Sequence, residues 1–139
     1  GRMITVADAC IALGVSNFQL SGEPTSEKEF KEMFIKINWD SDGKQVESTN
    51  PDDFGVTWSQ AKTKYDELVA AEPMRLLRIE RDSRIAETDW WASSDLTMST
   101  KRSDYRKALR DFPASDEAKK AKVDSIGRLT GVTWPTKPE

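Results

Sequence analysis

The sequence predicts an α+β fold: a small N-terminal α/β unit, a long broken helix, then short helices and an extended Trp-Pro tail at the C-terminus. Three observations carry this reading. Apolar residues ahead of Asp40 switch between helical and alternating spacing. From Thr57 to Glu87 they hold helical spacing, with Pro73 in the middle. Beyond Ser93-Ser94, short helical stretches end in Val132-Thr133-Trp134-Pro135-Thr136-Lys137-Pro138. The expected division is residues 3–56 for the α/β unit and 57–139 for the helical segment.

Val6, Ala9, Cys10 and Leu13 recur at helical spacing, and Gly14 is a natural stop, which predicts a helix over 5–13. Asn17-Phe18-Gln19-Leu20 alternates like a strand and ends at Ser21-Gly22. Ser26 and Glu29 have the spacing of a capping box, in which each residue's side chain accepts from the other's amide. Phe30, Met33, Phe34 and Ile37 follow on one helical face, yet Phe34-Ile35-Lys36-Ile37-Asn38-Trp39 also alternates like a strand, so the boundary stays open here. Asp40-Ser41-Asp42-Gly43 is a turn, and the polar stretch to Gly55 is expected to be loop.

Thr57 and Gln60 repeat the capping-box pattern at the start of the strongest helix, where Trp58, Ala61, Tyr65, Leu68 and Glu72 step along one side. Pro73 lacks an N–H and crowds the preceding turn, which predicts a break or kink near Glu72 and a second helix from Pro73 to Glu87. A short helix is expected from Ser99 to Arg110, with Tyr105 and Leu109 on one face, closed by Phe112-Pro113. A last, polar helix is expected from Ser115 to Leu129, with Ala118, Ala121, Ile126 and Leu129 as a thin stripe, before the extended tail.

A chain of 139 residues makes one ordinary domain or two very small ones. Charged residues are 32% and apolar residues 37%, with a mean hydropathy of -0.67, and five Trp with five Phe supply the large groups a core requires. No stretch reaches the roughly 20 apolar residues of a membrane-spanning helix, and the start lacks a signal-peptide pattern. Gly1-Arg2 ahead of Met3 resembles a tag remnant, so the native start is expected at Met3. With no histidine and one cysteine, a Ser-His-Asp or Cys-His catalytic arrangement, a His/Cys zinc site and an internal disulfide are all excluded. Cys10, in an apolar run, is expected to be a buried thiol, and the simplest compartment is cytosolic.

Net charge is -3, unevenly placed: residues 1–70 carry seven basic and twelve acidic side chains, and residues 71–139 fourteen basic and twelve acidic. Asp40-Ser41-Asp42-Gly43 starts like a calcium loop, but the far ligand position is Pro51. No phosphate-cradling glycine loop occurs, and no spacing among the carboxylates, Lys, Arg, Tyr or Ser singles out a catalytic pair; no enzyme activity, cofactor or metal is expected. Arg75, Arg78, Arg81 and Arg84 recur every three residues, and steps of three drift by about 60° per repeat round a helix. Interleaved Glu80, Asp82 and Glu87 favour a salt-bridged helix over a nucleic-acid ridge. Trp90, Trp91, Tyr105, Phe112 and Trp134 stand where aliphatics are scarce, either as the core of short elements or as anchors for a partner.

Three blocks resemble the phage tail assembly chaperone family: Arg78-Ile-Glu-Arg81-Asp82-Ser-Arg-Ile85-Ala86-Glu87-Thr88-Asp89-Trp90-Trp91, then Asp104-Tyr105-Arg106-Lys-Ala108-Leu109-Arg110-Asp111-Phe-Pro113, then Val-Thr-Trp134-Pro135-Thr-Lys-Pro138. They fall in order over about the last 65 residues and are more loosely similar to tail-fibre assembly proteins of tailed phages. One departure is the Lys-rich stretch between Pro113 and Trp134, expected to be helical, where the family usually has a shorter Pro-rich linker. The N-terminal half resembles small phage-encoded proteins with the same strand, Glu-Pro-Thr turn and helix order, which implies no activity.

The resemblance implies a non-enzymatic factor that binds an aggregation-prone tail or tail-fibre protein in the host cytoplasm during assembly, with Trp90, Trp91, Tyr105, Leu109, Trp134 and Pro135 as partner-binding residues. Such a binder requires a modest apolar face and a charged exterior, without nucleotide, nucleic acid or membrane. Self-association stays open. Two alternatives also stay open: a structural component of the virion tail, and a nucleic-acid-binding accessory factor acting through the arginine helix.

Overall fold

The computed structural model describes residues 3–93 and 97–139, so the Gly1-Arg2 pair and Ser94 of the Ser93-Ser94 spacer lie outside the described residues. The fold is α+β, with four α-helices and two small antiparallel sheets among the described residues. It forms two compact units, Ile4–Ala70 and Ala71–Glu139.

In the N-terminal unit, α1 (Val6–Ala12) starts at Thr5, whose hydroxyl accepts from the Asp8 amide while the Asp8 carboxylate accepts from the Thr5 amide. Val6, Ala9 and Cys10 are buried on one face, whereas Leu13, expected on that face, caps the helix and is 40% exposed. Burial pushes the Cys10 thiol up to about 11, which keeps it neutral and unreactive. Strand β1 (Phe18–Leu20) follows, then α2 (Glu27–Met33).

Ser26 accepts from the Glu29 amide as expected, but the Glu29 carboxylate accepts from the Thr25 hydroxyl, at 2.6 Å, instead of from Ser26. The open boundary is settled at Met33. Helix α2 passes directly into strand β2 (Phe34–Trp39), because Phe34 takes an extended conformation that stacks its ring on Phe18 at 5.2 Å. Phe34 also meets Phe54 at 4.3 Å and Phe30 at 5.3 Å, and these rings, with Val6 and Cys10, form the unit's core.

The stretch expected as plain loop contains a strand. β3 (Gln45–Ser48) pairs with β2 across the Asp40–Lys44 turn, giving a sheet of order β1-β2-β3. The Asp40 carboxylate accepts from the Asp42 and Lys44 amides and holds that turn, so backbone pairing, not apolar patterning, makes the strand. A 3₁₀ turn at Pro51–Asp53 leads to α3.

Helix α3 (Trp58–Ala86) runs through Pro73 as one element, so the break that was one of the two expected outcomes does not occur. Thr57 and Gln60 form the full reciprocal box at its start, at 3.0 and 3.2 Å. One proline removes one ladder bond and costs about 3 kcal/mol, which packing on both sides offsets: Ala61 in the first unit and Leu77 in the second are both 0% exposed.

In the C-terminal unit, α3 gives way to a 3₁₀ turn at Asp89–Ala92, and α4 (Thr100–Asp111) starts at a Ser99 cap and ends in a 3₁₀ turn at Phe112–Ala114. The helix expected from Ser115 to Leu129 does not form. Residues Ala118–Lys120 make a 3₁₀ turn, and β4 (Lys122–Val123) pairs with β5 (Leu129–Thr130) in a hairpin. The reason is local turn chemistry: Asp124 accepts from the Ile126 and Arg128 amides, and Gly127 adopts φ +84°, a conformation that ends any helix.

Candidate functional site

The Ala71–Glu139 unit is built from short elements held by aromatic rings and arginines. Leu77, Phe112 and Ala118 form one buried cluster, and Trp91, Tyr105 and Leu109 a second. Trp134 of the extended tail packs against both, with its ring 4.6 Å from Phe112. Trp134 thereby ties a tail without regular structure to both clusters, and Val132 packs against the first.

Arginines close the gaps between elements. Arg84 stacks over the Trp134 ring at 4.5 Å while its Nε donates to Glu80 at 2.9 Å. Arg106 donates to the Ile85 carbonyl and the Thr88 hydroxyl, at 3.2 and 2.7 Å, and to Asp89 at 3.2 Å, which ties α4 to the C-terminal end of α3. Arg81 donates to the Arg110 carbonyl at 3.0 Å, which fastens the end of α4 to α3.

The Ser115–Thr133 stretch is pinned at two points. Glu117 accepts from the Thr133 amide at 2.8 Å and pairs with Lys120 at 2.9 Å. The bond from Lys120, then that from the Thr133 amide, hold its carboxyl below the usual carboxylate range. Gly131 has φ +89°, and a Cβ there would lie 2.4 Å from the Lys120 carbonyl oxygen, so only glycine lets the tail pass.

The expected binding residues divide by burial. Trp91, Tyr105 and Leu109 are 2%, 5% and 0% exposed and meet each other in the core; Trp134 and Pro135 are half-buried; Trp90 is 59% exposed. Trp90 stands edge-on to Trp91 at 6.2 Å, and Arg102 lies over both rings, at 5.6 and 4.6 Å. Lys137 of the tail approaches Trp91 at 5.8 Å. The contacts of Arg102, Arg106 and Lys137 were not legible in residue spacing, because their partners are eleven or more residues away and no periodicity connects them.

Of the arginines spaced by three, Arg75 pairs with Glu72, Arg81 with Asp82, and Arg84 with Glu80, each across a short local step. Among the described residues, no cluster of His, Cys, Asp and Glu is arranged to hold a metal ion. No helix among them is long and apolar enough to cross a membrane. Open grooves flank the aromatic cluster, one of about 670 Å³ between α4 and the tail, lined by Ser99, Tyr105, Ala108 and Pro135 among others.

The fold and surface define a small α+β protein whose C-terminal unit presents an exposed tryptophan and cations on an aromatic base. Residues 74–139, just under half of the chain, match the family of phage tail assembly chaperone proteins. The match covers the three sequence blocks and supports a role in phage tail assembly. No curated protein and no solved structure matches the chain.

Proposed function

We propose that this chain is a non-enzymatic tail-assembly chaperone that covers an aggregation-prone surface on a tail or tail-fibre protein in the host cytoplasm and leaves when the proper subunit docks. The observation that carries the reading is Trp90, 59% exposed beside Arg102 within the family-matched segment. An exposed tryptophan braced by a buried neighbour is a pre-organised anchor, with little side-chain freedom left to lose on binding. Trp134 and Pro135 border the contact, while Trp91, Tyr105 and Leu109 hold its shape. No nucleotide, cofactor, nucleic acid or membrane takes part, and the pairing of Arg75, Arg81 and Arg84 with acids supports a protein partner.

The test is coexpression with the tail and tail-fibre proteins of the same phage, without added ATP, scoring the soluble fraction. The native chain should raise it, and Trp90→Ala should lose the effect while its circular dichroism is unchanged. No suppression by the native chain overturns the reading. Mass spectrometry of purified virions separates the structural alternative: a chaperone is absent from mature particles, and a fixed copy number makes the chain a tail component.

A further inference from the structure

The second unpartnered surface is the outer edge of the N-terminal sheet. Strand β3 lies at that edge, with Gln45, Val46 and Glu47 exposed. The backbone hydrogen bonds of the sheet show which groups face outward. Ile37 donates to Asn17 at 2.7 Å and Ser21 to Met33 at 3.1 Å, so the odd-numbered residues of β2 pair toward β1. In an antiparallel sheet alternate residues bond to opposite neighbours, so the even-numbered residues of β2 bond to β3, and Asp40 donating to Lys44 at 2.9 Å follows that pattern. With Asn38 opposite Val46, the N–H and C=O of Val46 point inward, and those of Gln45 and Glu47 point out from the edge.

The geometry points to a second copy of this chain as the occupant of that edge. A two-fold axis normal to the sheet, passing beside Val46, satisfies every outward group at once. Gln45 then lies opposite Glu47 of the second copy, and Glu47 opposite its Gln45, as two hydrogen-bonded residue pairs. Val46, 45% exposed, meets its own counterpart at the axis, and a three-stranded sheet becomes a continuous larger one.

The side chains fit that register without change. Gln45 Nε2 already donates to Glu47 Oε1 at 3.3 Å on one face, so each copy brings an amide to the other's carboxylate. On the opposite face Lys44 comes level with Ser48 of the second copy. Ser48 donates to Asp53 at 2.6 Å and so holds a carboxylate beside the incoming ammonium. Among the described residues neither Lys44 Nζ nor Asp53 has an ion-pair partner within its own chain. Self-pairing gives each of them one, twice over by symmetry. A register shifted by two residues either way forms only one of the two hydrogen-bonded pairs and loses this match.

The test is sedimentation of the full chain across a concentration series. The native chain should dimerise. Glu47→Pro removes an outward donor without touching the β2 ladder and should abolish the dimer, with its circular dichroism retained. Lys44→Glu and Asp53→Lys should each weaken association about tenfold, and the double exchange should restore it to within about threefold. Val46→Cys should form a disulfide-linked dimer on mild oxidation, since facing residues of a non-hydrogen-bonded pair lie about 4.5 Å apart, and Glu47→Cys should not. A chain that stays monomeric to roughly 1 mM overturns the inference, as does a dimer indifferent to Glu47→Pro and Lys44→Glu. A monomer whose Glu47→Pro variant alone stops protecting a tail protein would assign the edge to a strand of that protein instead.

Discussion

Arg84 lies 4.5 Å from the centroid of the Trp134 ring, across 50 positions of sequence, and the same guanidinium donates to Glu80 one helical turn before it. The ion pair aims the cation, and the cation holds the tail's only large apolar side chain against α3. Together with the Phe112 ring and the packing of Val132, this contact makes an extended C-terminal segment part of the core.

Trp134→Ala should destabilise the unit by about 3 kcal/mol in urea unfolding, because it empties a half-buried aromatic site shared by two clusters. Arg84→Ala should cost about 1 kcal/mol. In the double variant the losses should fall short of additive by about 0.5–1 kcal/mol, the coupling of the stacked pair. Strict additivity would show that the contact contributes no stability.

Trp91→Ala should cost about 3–5 kcal/mol, since its ring is 2% exposed against Tyr105 and Leu109. Trp90→Ala should change unfolding by less than about 0.5 kcal/mol. Adjacent residues of the same type therefore differ sharply in their weight for folding, and equal losses would contradict the burial difference.

Gly131→Ala should destabilise by more than about 2 kcal/mol, combining the left-handed backbone with a Cβ 2.4 Å from the Lys120 oxygen. Gly14→Ala, at the same φ of +89° but with open space around the added carbon, should cost about 1 kcal/mol. The difference between these two thermal melts measures the close approach alone.

Glu117 has a folded-state pKa below its ordinary value of 4.5, through its bonds with Lys120 and the Thr133 amide. Its contribution is therefore present above about pH 4.5 and is lost as pH falls through the lower folded value. Glu117→Gln should lower the melting temperature slightly at pH 7, and the difference should shrink as pH falls below about 4.5. A variant effect that did not shrink with falling pH would place the contribution in packing instead of charge.

The legible parts of the fold were those written in local periodicity. The apolar faces of α1, α3 and α4, the Thr57–Gln60 cap and the Asp40 turn depend on neighbours within about one helical turn or one tight turn, so spacing alone reveals them. Strand β3 was missed because Gln45-Val46-Glu47-Ser48 carries almost no apolar pattern and exists through its pairing with β2. The Ser115–Leu129 hairpin was missed because its helical stripe was thin and its turn depends on Asp124 and Gly127. The break expected at Pro73 weighed a local penalty without the packing on either side of it.

By itself the sequence determined the class of the fold, the exclusion of His- and Cys-based chemistry, and the C-terminal resemblance to tail assembly chaperones, now matched over residues 74–139. It also named Trp91, Tyr105 and Trp134, which pack together in the C-terminal unit. Only the tertiary structure decided which aromatic residues are buried and which is presented: Trp90 and Trp91 are identical in kind and adjacent in sequence, yet one is 59% exposed and the other 2%. That difference follows from which side of a single 3₁₀ turn meets Tyr105 and Leu109, a relation between distant segments that no local pattern encodes.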